Sequence, residues 1–294
     1  MAVERLPNFF IIGAPKCGTT ALWEYLVTHP GIFMSAKKEP HYFNFDAAYH
    51  KVRSREEYVA LFEDAPPSVK VLGEASVWYL HSRAAVPEIL KAVDDPRFVV
   101  MLRNPVDMFA SLHEQLTVSG RETIHDPEKA WEAQERRSRG IDLPKNVVEP
   151  SHLQYRDVCS LGAQLERVLA VAPRERVHWI LLDEFARNTH AEYLKVLAFL
   201  GLQDDGRDAF PRINSAKALR SQLLSNVTRL FKRVKRATAI RGGLGIIGRL
   251  KRVNVDFRDR PPLRPEFRAE LARVFSDDIR KLEEITGRDL SAWR

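Results

Sequence analysis

The 294-residue sequence predicts an α/β protein whose central, mostly parallel sheet is flanked by helices on both faces. Short apolar runs alternate along the chain with segments of helical periodicity, which is the pattern of a parallel sheet. These runs are continuously apolar, as strands buried on both faces are. A chain of this length, 45% hydrophobic, buries one large core, so we expect a single domain over residues 1–294.

The predicted elements alternate strand and helix in chain order. The strands are Phe9–Ile12, Val69–Gly73, Phe98–Leu102 and Val177–Leu182. The first helix follows Gly13–Thr20 and ends near His29. The later helices cover Ala84–Val93, Val106–Val118 and Ala191–Leu200. Because ligands bind at the carboxyl ends of parallel strands, we expect the chemistry directly after the first three strands.

Two further segments complete the chain. Gly120–Ser151 is polar and proline-containing, and it predicts a long surface excursion with a short helix around Glu128–Arg139. Pro265–Gly287 has apolar residues on one face, which predicts an amphipathic helix. A second excursion is expected at residues 228–260.

The composition limits the classes of function. Two cysteines, Cys17 and Cys159, are too few for a disulfide framework and favour a reducing compartment. The polar start Met1–Asn8 and the short apolar run after it do not resemble a signal peptide or a membrane span. We therefore expect a cytoplasmic protein.

The net charge of +7 comes from one stretch, because Lys217–Val255 contains eleven Lys and Arg and no acidic residue. The rest of the chain has 35 basic and 39 acidic residues. This distribution indicates an anionic partner for that stretch and no general affinity for nucleic acid. Three interpretations fit this basic stretch: an interfacial membrane helix within residues 228–252, recognition of an anionic acceptor, or a solvated helical face.

The loop after the first strand has the features of an anion site. A strand, a glycine turn and a helix start bring free amides and a helix dipole to one point. Gly13 and Gly18 have the G-x-x-x-x-G spacing of a P-loop, but Thr19 stands where nucleoside triphosphatases have lysine, and Lys16 lies inside the loop. The hydroxyls of Thr19 and Thr20 add donors for a phosphate.

The segment Pro15–Thr20 resembles the 5′-phosphosulfate loop of the sulfotransferase family, especially its heparan sulfate branch and bacterial relatives. The resemblance implies a P-loop-like domain, 3′-phosphoadenosine 5′-phosphosulfate (PAPS) as donor and its bisphosphate (PAP) as product, with no metal. It implies that the loop residues Lys16, Cys17, Gly18, Thr19 and Thr20 hold the 5′-phosphate. The lysine then reaches the oxygen that bridges phosphate and sulfate, where negative charge develops.

A second match follows the third strand. Pro105 suits the first turn of a helix, so Asn104 is the expected N-cap, and Ser111 lies two turns further on. Arg103 and Ser111 resemble the family's 3′-phosphate motif. Lys217 and Arg220 match only loosely the family's late basic loop, which closes over the same phosphate.

The segment Lys37–Phe43 resembles the family's Glu-x-His-Phe-Phe segment, which implies Glu39 as general base with His41 beside it. Neighbouring lysines keep a carboxylate ionised, as a base requires. His113 is another candidate base. One departure is Ala75, where the heparan-type enzymes have a lysine after Glu74 that helps to hold the sulfate.

These matches predict transfer of a sulfuryl group to a hydroxyl, or less readily an amine, of a carbohydrate, lipid or small-molecule natural product. The excursions at 120–151 and 228–260 are the expected acceptor side. Two alternatives stay open: a P-loop kinase or nucleoside triphosphatase, and a non-catalytic module that binds an anionic membrane. The first lacks the G-K-[ST] signature and a convincing acidic strand end for Mg²⁺.

Overall fold

The structure of the chain is a computed structural model. It describes residues 5–35, 37–211, 213, 218–219, 255–256 and 262–294. The chain forms two compact units, the larger from Met1–Pro211 with Leu263–Arg294 and the smaller from Arg212–Pro262. In the smaller unit, two short strands, Ala218–Leu219 and Val255–Asp256, pair antiparallel.

The larger unit contains a five-stranded sheet in which every neighbouring pair is parallel. The strands are β1 (Phe9–Gly13), β2 (Ile32–Met34), β3 (Val71–Ala75), β4 (Arg97–Leu102) and β5 (Val177–Leu181). Their order is β2-β3-β1-β4-β5, so β1 is central. All five residues of β1 and of β3 are buried, as expected for strands covered on both faces. The predicted parallel α/β sheet is confirmed.

The sequence prediction was wrong in two places on this sheet. It missed β2, because three residues carry no periodicity. It also began the next strand at Val69, whereas β3 begins at Val71. Val69 instead belongs to a turn, since its amide donates to the Pro66 carbonyl at 3.0 Å and its own carbonyl accepts from Arg5.

Eleven helices accompany the sheet in the described residues. They are α1 (Thr19–Leu26), α2 (Arg55–Val59), α3 (Ala85–Ala92), α4 (Pro105–Ser119), α5 (Pro127–Glu132), α6 (Gln134–Ser138), α7 (Tyr155–Cys159), α8 (Leu161–Leu169), α9 (Leu182–Arg187), α10 (Thr189–Leu200) and α11 (Pro265–Thr286). None of them is long and apolar enough to cross a membrane.

Several predicted helix boundaries shift. The first helix ends at Leu26, before the expected His29, whose ring Nδ1 accepts from the Gly31 amide at 3.0 Å and closes the following turn. The single helix expected around Glu128–Arg139 is two short ones, α5 and α6, that meet at Ala133. The N-cap at Asn104 is confirmed, because its side chain accepts from the Val106 amide at 2.9 Å.

The segment that follows α4 is anchored by a buried ion pair. The Arg137 guanidinium donates two hydrogen bonds, of 2.6 and 2.7 Å, to the carboxylate of Glu122, and the Tyr155 hydroxyl donates a third of 2.6 Å. All three residues are buried. Because a buried charge is stable only when it is paired and hydrogen-bonded, this cluster fixes much of the predicted surface excursion to the core.

The helix α11 packs against α8. Its Asp278 carboxylate accepts from the amides of Gly162 and Ala163, both at 2.8 Å, and so caps the start of α8. The two helices approach so closely that a Cβ on Gly162 would lie 2.4 Å from the Asp278 carbonyl oxygen. The position of α8 is therefore fixed by backbone and carboxylate contacts.

Candidate active site

The loop between β1 and α1 requires glycine at its end. Gly18 has a φ of 89°, in the left-handed region, and a Cβ there would lie 2.8 Å from Leu182 Cδ1. The start of the loop is tied to β4, because the Ala14 amide donates to the Met101 carbonyl at 2.9 Å. The Ala21 amide donates to the Gly18 carbonyl at 3.0 Å, whereas the Thr19 and Thr20 amides at the start of α1 have no acceptor within the helix and can bind an anion.

The structure brings Lys16 and Arg103, two of the predicted donor-binding residues, together. Lys16 adopts a left-handed φ of 65°, which is strained for a residue with a side chain. Its carbonyl accepts from Arg103 Nη1 at 3.0 Å. The arginine that follows β4 therefore lies against the loop that follows β1.

The other predicted loop residues differ in their access to a ligand. Thr19 is buried in the first turn of α1, and Thr20 is partly exposed. The Cys17 thiol is buried, and burial raises its pKa to about 12 despite the nearby Arg103 and Lys16. Cys17 can therefore offer a phosphate only its backbone, and its amide already contacts the Ala14 carbonyl at 3.3 Å.

The predicted contacts to the 3′-phosphate are only partly visible. Ser111 is buried on α4, 5% exposed, in the helix that Asn104 caps. Lys217 and Arg220 lie outside the described residues, and so does the whole of 228–252. Their roles stay predictions.

The Glu39 carboxylate has two ammonium groups beside it. Lys38 Nζ lies 3.1 Å from its Oε1, and Lys51 Nζ lies 3.3 Å from its Oε2. The ring of His41 lies 3.7 Å from Oε2, and neither ring nitrogen has a hydrogen-bond partner among the described residues. Glu39 remains 28% exposed, so the carboxylate is accessible.

These neighbours decide the protonation of the cluster. Burial acts to raise the pKa of Glu39, but the His41 ring and the ammonium groups of Lys38 and Lys51 outweigh it, and the pKa lies well below its ordinary value. Burial lowers the pKa of His41, against the opposing effect of Glu39. At neutral pH the glutamate is therefore ionised and the histidine is neutral.

The backbone of this segment is strained and held in place from β3. Glu39 and His41 have φ values of 59° and 51°, a conformation uncommon outside glycine. The Glu39 amide donates to the Ala75 carbonyl at 2.8 Å, and the His41 amide donates to Ser76 Oγ at 3.0 Å. These bonds place the carboxylate at the carboxyl end of β3.

The Tyr79 hydroxyl supports the same segment. It accepts from the amides of Tyr42 and Phe43, at 2.9 and 3.1 Å, and lies 3.5 Å from Glu74 Oε2. Tyr58 donates to the same Glu74 oxygen at 3.0 Å, and burial raises the pKa of Glu74 to about 7. Glu74 therefore orients the tyrosines that hold the Glu39 segment.

Sequence reasoning missed Lys51, Ser76 and Tyr79. Lys51 lies twelve residues beyond Glu39 in a polar stretch without periodicity, so no local pattern connects the two. The structure gives the candidate base His113 a structural contact instead, because its Nε2 pairs with the Ile124 carbonyl at 2.9 Å and its ring packs on Phe109.

Comparison with known proteins supplies the family. The sulfotransferase domain model matches residues 6–245. The chain belongs to the sulfotransferase family. It is similar throughout its length to a sulfotransferase from Alicyclobacillus acidocaldarius, with 29% identity, 99% coverage of both chains and a TM-score of 0.73. The family assignment and the P-loop-like α/β fold predicted from the sequence are confirmed, and the family implies the enzyme class of the PAPS-dependent sulfotransferases.

Two curated relatives also match this sulfotransferase. A membrane-associated sulfotransferase of Dictyostelium discoideum is 36% identical over 104 residues, which is 35% of this chain and 21% of that protein. Heparan sulfate glucosamine 3-O-sulfotransferase 3B1 of Mus musculus is 27% identical over 290 residues, 97% of this chain and 65% of that protein. The matches to this Dictyostelium protein and to carbohydrate sulfotransferase 15 of Homo sapiens and of Mus musculus span less than half of the length of those relatives.

We predict that Tyr79→Phe destabilises the sulfotransferase by about 2–4 kcal/mol, because two amides lose their acceptor in a buried setting. Urea denaturation measures the change in the free energy of unfolding. Tyr42→Phe is the matched control, since that hydroxyl has no hydrogen bond in the described structure, and we expect a change within about 0.5 kcal/mol. Equal effects of the two variants would contradict the assigned role of the Tyr79 hydroxyl.

Proposed function

We propose that this sulfotransferase moves a sulfuryl group from PAPS to an acceptor hydroxyl, with Glu39 as general base and Lys16 stabilising the leaving group. The observation that carries the proposal is the contact between Arg103 and the Lys16 carbonyl, 3.0 Å long. It joins the two phosphate motifs at one edge of the sheet. A donor with both a 5′-phosphosulfate and a 3′-phosphate needs two anion sites close together.

The transfer is a single displacement at sulfur. The acceptor oxygen forms a bond to sulfur, its proton passes to the Glu39 carboxylate, and the bond from sulfur to the bridging oxygen breaks. PAP leaves with the added negative charge on that oxygen, which the Lys16 ammonium stabilises. Glu39 is ready for this role because its pKa is lowered, whereas the neutral His41 positions it.

Lys38 and Lys51 account for the departure at Ala75. The resemblance implies that the heparan-type enzymes have a lysine at this position. Here the residue is alanine, and its carbonyl accepts from the Glu39 amide at 2.8 Å. In this chain, the ammonium groups of Lys38 and Lys51 lie within 3.3 Å of the Glu39 carboxylate. We therefore assign to them the positive charge that position 75 lacks.

Relatives named for carbohydrate and heparan sulfate substrates support a carbohydrate among the three acceptor classes. The alternative of a kinase or nucleoside triphosphatase has only the loop spacing in its favour. The alternative of a membrane-binding module rests on residues 228–252, outside the described part of the chain.

We predict that PAP binds with all divalent metal chelated and that Mg-ATP does not compete with it. The reason is that the loop has Thr19 where a nucleoside triphosphatase has its lysine. Isothermal titration calorimetry measures both affinities. Binding of Mg-ATP alone would contradict the proposed donor.

We predict that Glu39→Gln lowers kcat by about 10²–10⁴-fold and leaves the Kd of PAP unchanged, because only proton transfer is lost. Lys16→Ala should lower kcat by about 10²–10³-fold through loss of leaving-group stabilisation. Steady-state rates with labelled PAPS measure both. Glu63→Gln is the exposed-carboxylate control. Normal turnover in Glu39→Gln would move the base elsewhere, with His41 to be tested next.

We predict that Lys51→Met moves the acid limb of kcat/KM to higher pH. A base with a lowered pKa stays active until the pH falls through that pKa, so the parent keeps activity below the ordinary glutamate value of 4.5. Removing one cation raises the pKa of Glu39, and activity is then lost at higher pH. Lys51→Arg keeps the charge and should retain the parental profile. An unchanged profile in Lys51→Met would disprove this coupling.

A further inference from the structure

A cleft of about 320 Å³ opens beside the Glu39 segment, and we call it the lateral cleft. Its volume lies at the lower end of the range for small-molecule sites, about 300–1,000 Å³. One wall is aromatic and the others carry charged and amide side chains. Its lining includes Asp46, Trp78, Arg83, Glu149, His152 and Ala163.

The lateral cleft adjoins the donor loop through the segment that follows β3. Trp78 and His81 line the cleft, and between them the Leu80 amide donates to the Ile12 carbonyl of β1 at 2.7 Å. The contact is close, since a Cβ on Gly13 would lie 2.7 Å from Leu80 Cβ. One wall of the cleft therefore rests on the strand that leads into the phosphate loop.

A row of rings connects the cleft to the base. His41, beside Glu39, has its ring centroid 5.1 Å from that of Tyr49, and Tyr49 lies 5.9 Å from His152. His152 stacks on Trp78 with centroids 3.5 Å apart and planes at 9°. Packed rings thus connect the surroundings of Glu39 to Trp78 and His152, which line the cleft.

The polar walls are rigid. Asp46 accepts from Ser82 Oγ at 2.5 Å and from the Arg83 amide at 2.7 Å. Glu149 accepts from the Ala48 amide at 2.6 Å, which ties the loop after Glu39 to the segment before α7. Each carboxylate has lone pairs beyond these bonds, so both can accept hydrogen bonds from ligand hydroxyls.

Among the described residues, the lining of the cleft has no excess of positive charge. Its lining has three carboxylates, from Asp46, Glu149 and Asp157, and two guanidinium groups, from Arg83 and Arg167. Burial lowers the pKa of its two imidazoles, that of His152 to about 2, so both are uncharged at neutral pH. A polyanion would meet more negative than positive charge here.

We infer that the lateral cleft binds the acceptor and that the bound part is an uncharged polyol of about the size of a sugar ring. An aromatic wall suits the apolar face of such a ring, and fixed carboxylate and guanidinium groups suit its hydroxyls. The inference rests on the proposed sulfuryl transfer and adds the acceptor class. It sets this chain apart from relatives whose named substrate is heparan sulfate, a polyanion.

The first experiment compares acceptors at a fixed concentration of labelled PAPS. The neutral probes are the p-nitrophenyl β-glycosides of glucose, galactose and mannose, and the polyanionic probe is a heparosan oligosaccharide. We expect sulfated product from at least one neutral glycoside, with a kcat/KM above that for heparosan. Failure of all three neutral probes, or a preference for heparosan, overturns the inference.

The second experiment fills the cleft. Ala163 lines it with an exposed side chain on α8, so Ala163→Phe adds bulk without disturbing the core. We expect the KM for the neutral glycoside to rise by about tenfold or more, with the Kd of PAP unchanged. Ala170→Phe is the matched control, at the exposed residue that directly follows α8 and lies outside the cleft. An unchanged KM in Ala163→Phe overturns the inference.

The two levels of the proposal fail in different ways. If the proposed sulfuryl transfer is wrong, PAP does not bind and no probe is sulfated. If only the acceptor class is wrong, PAP binds and the neutral glycosides fail, or the Ala163→Phe variant keeps the parental KM.

Discussion

Backbone hydrogen bonds around the end of β1 hold the candidate active site together. On one side, the amides of Ser76 and Leu80 donate to the Ile11 and Ile12 carbonyls at 3.0 and 2.7 Å. On the other side, the Ala14 amide donates to Met101 at 2.9 Å. The hydrogen bonding of the parallel sheet therefore continues around the carboxyl end of β1 on both of its sides, toward β4 and toward the segment that follows β3. Because three segments that follow parallel strands share these bonds, the phosphate loop, the Arg103 motif and the wall of the lateral cleft have fixed relative positions.

The Glu39 segment belongs to no strand, and it depends on side chains that follow β3. Ser76 Oγ and the Tyr79 hydroxyl accept three of its amides, and the strained φ values of Glu39 and His41 persist because these acceptors are fixed. In this conformation the Glu39 carboxylate lies beside the ammonium groups of Lys38 and Lys51, which lower its pKa against the effect of burial.

The fold was predictable because its strands are continuously apolar and its helices begin at strong signals such as Asn104 followed by Pro105. The positions in the fold of the two predicted phosphate motifs were predictable for the same reason, since each lies directly after a strand. Lys51 and Tyr79 were not predictable. Lys51 reaches Glu39 through a loop without periodicity, and Tyr79 acts through a hydroxyl whose partners are backbone amides. Such contacts depend on tertiary geometry and leave no spacing in the sequence.

The distribution of charge separates the two substrates. Arg103 contacts the loop that follows β1, and Lys38 and Lys51 lie beside Glu39, so these described cations are near the sites proposed for the donor and the transferred sulfuryl group. The lateral cleft has carboxylates in slight excess. In the part of the chain that the structure describes, a polyanionic acceptor would compete with the donor for these cations, whereas an uncharged polyol would not. Electrostatic complementarity therefore favours the proposed arrangement, in which anions bind at the loop and neutral hydroxyls bind in the cleft.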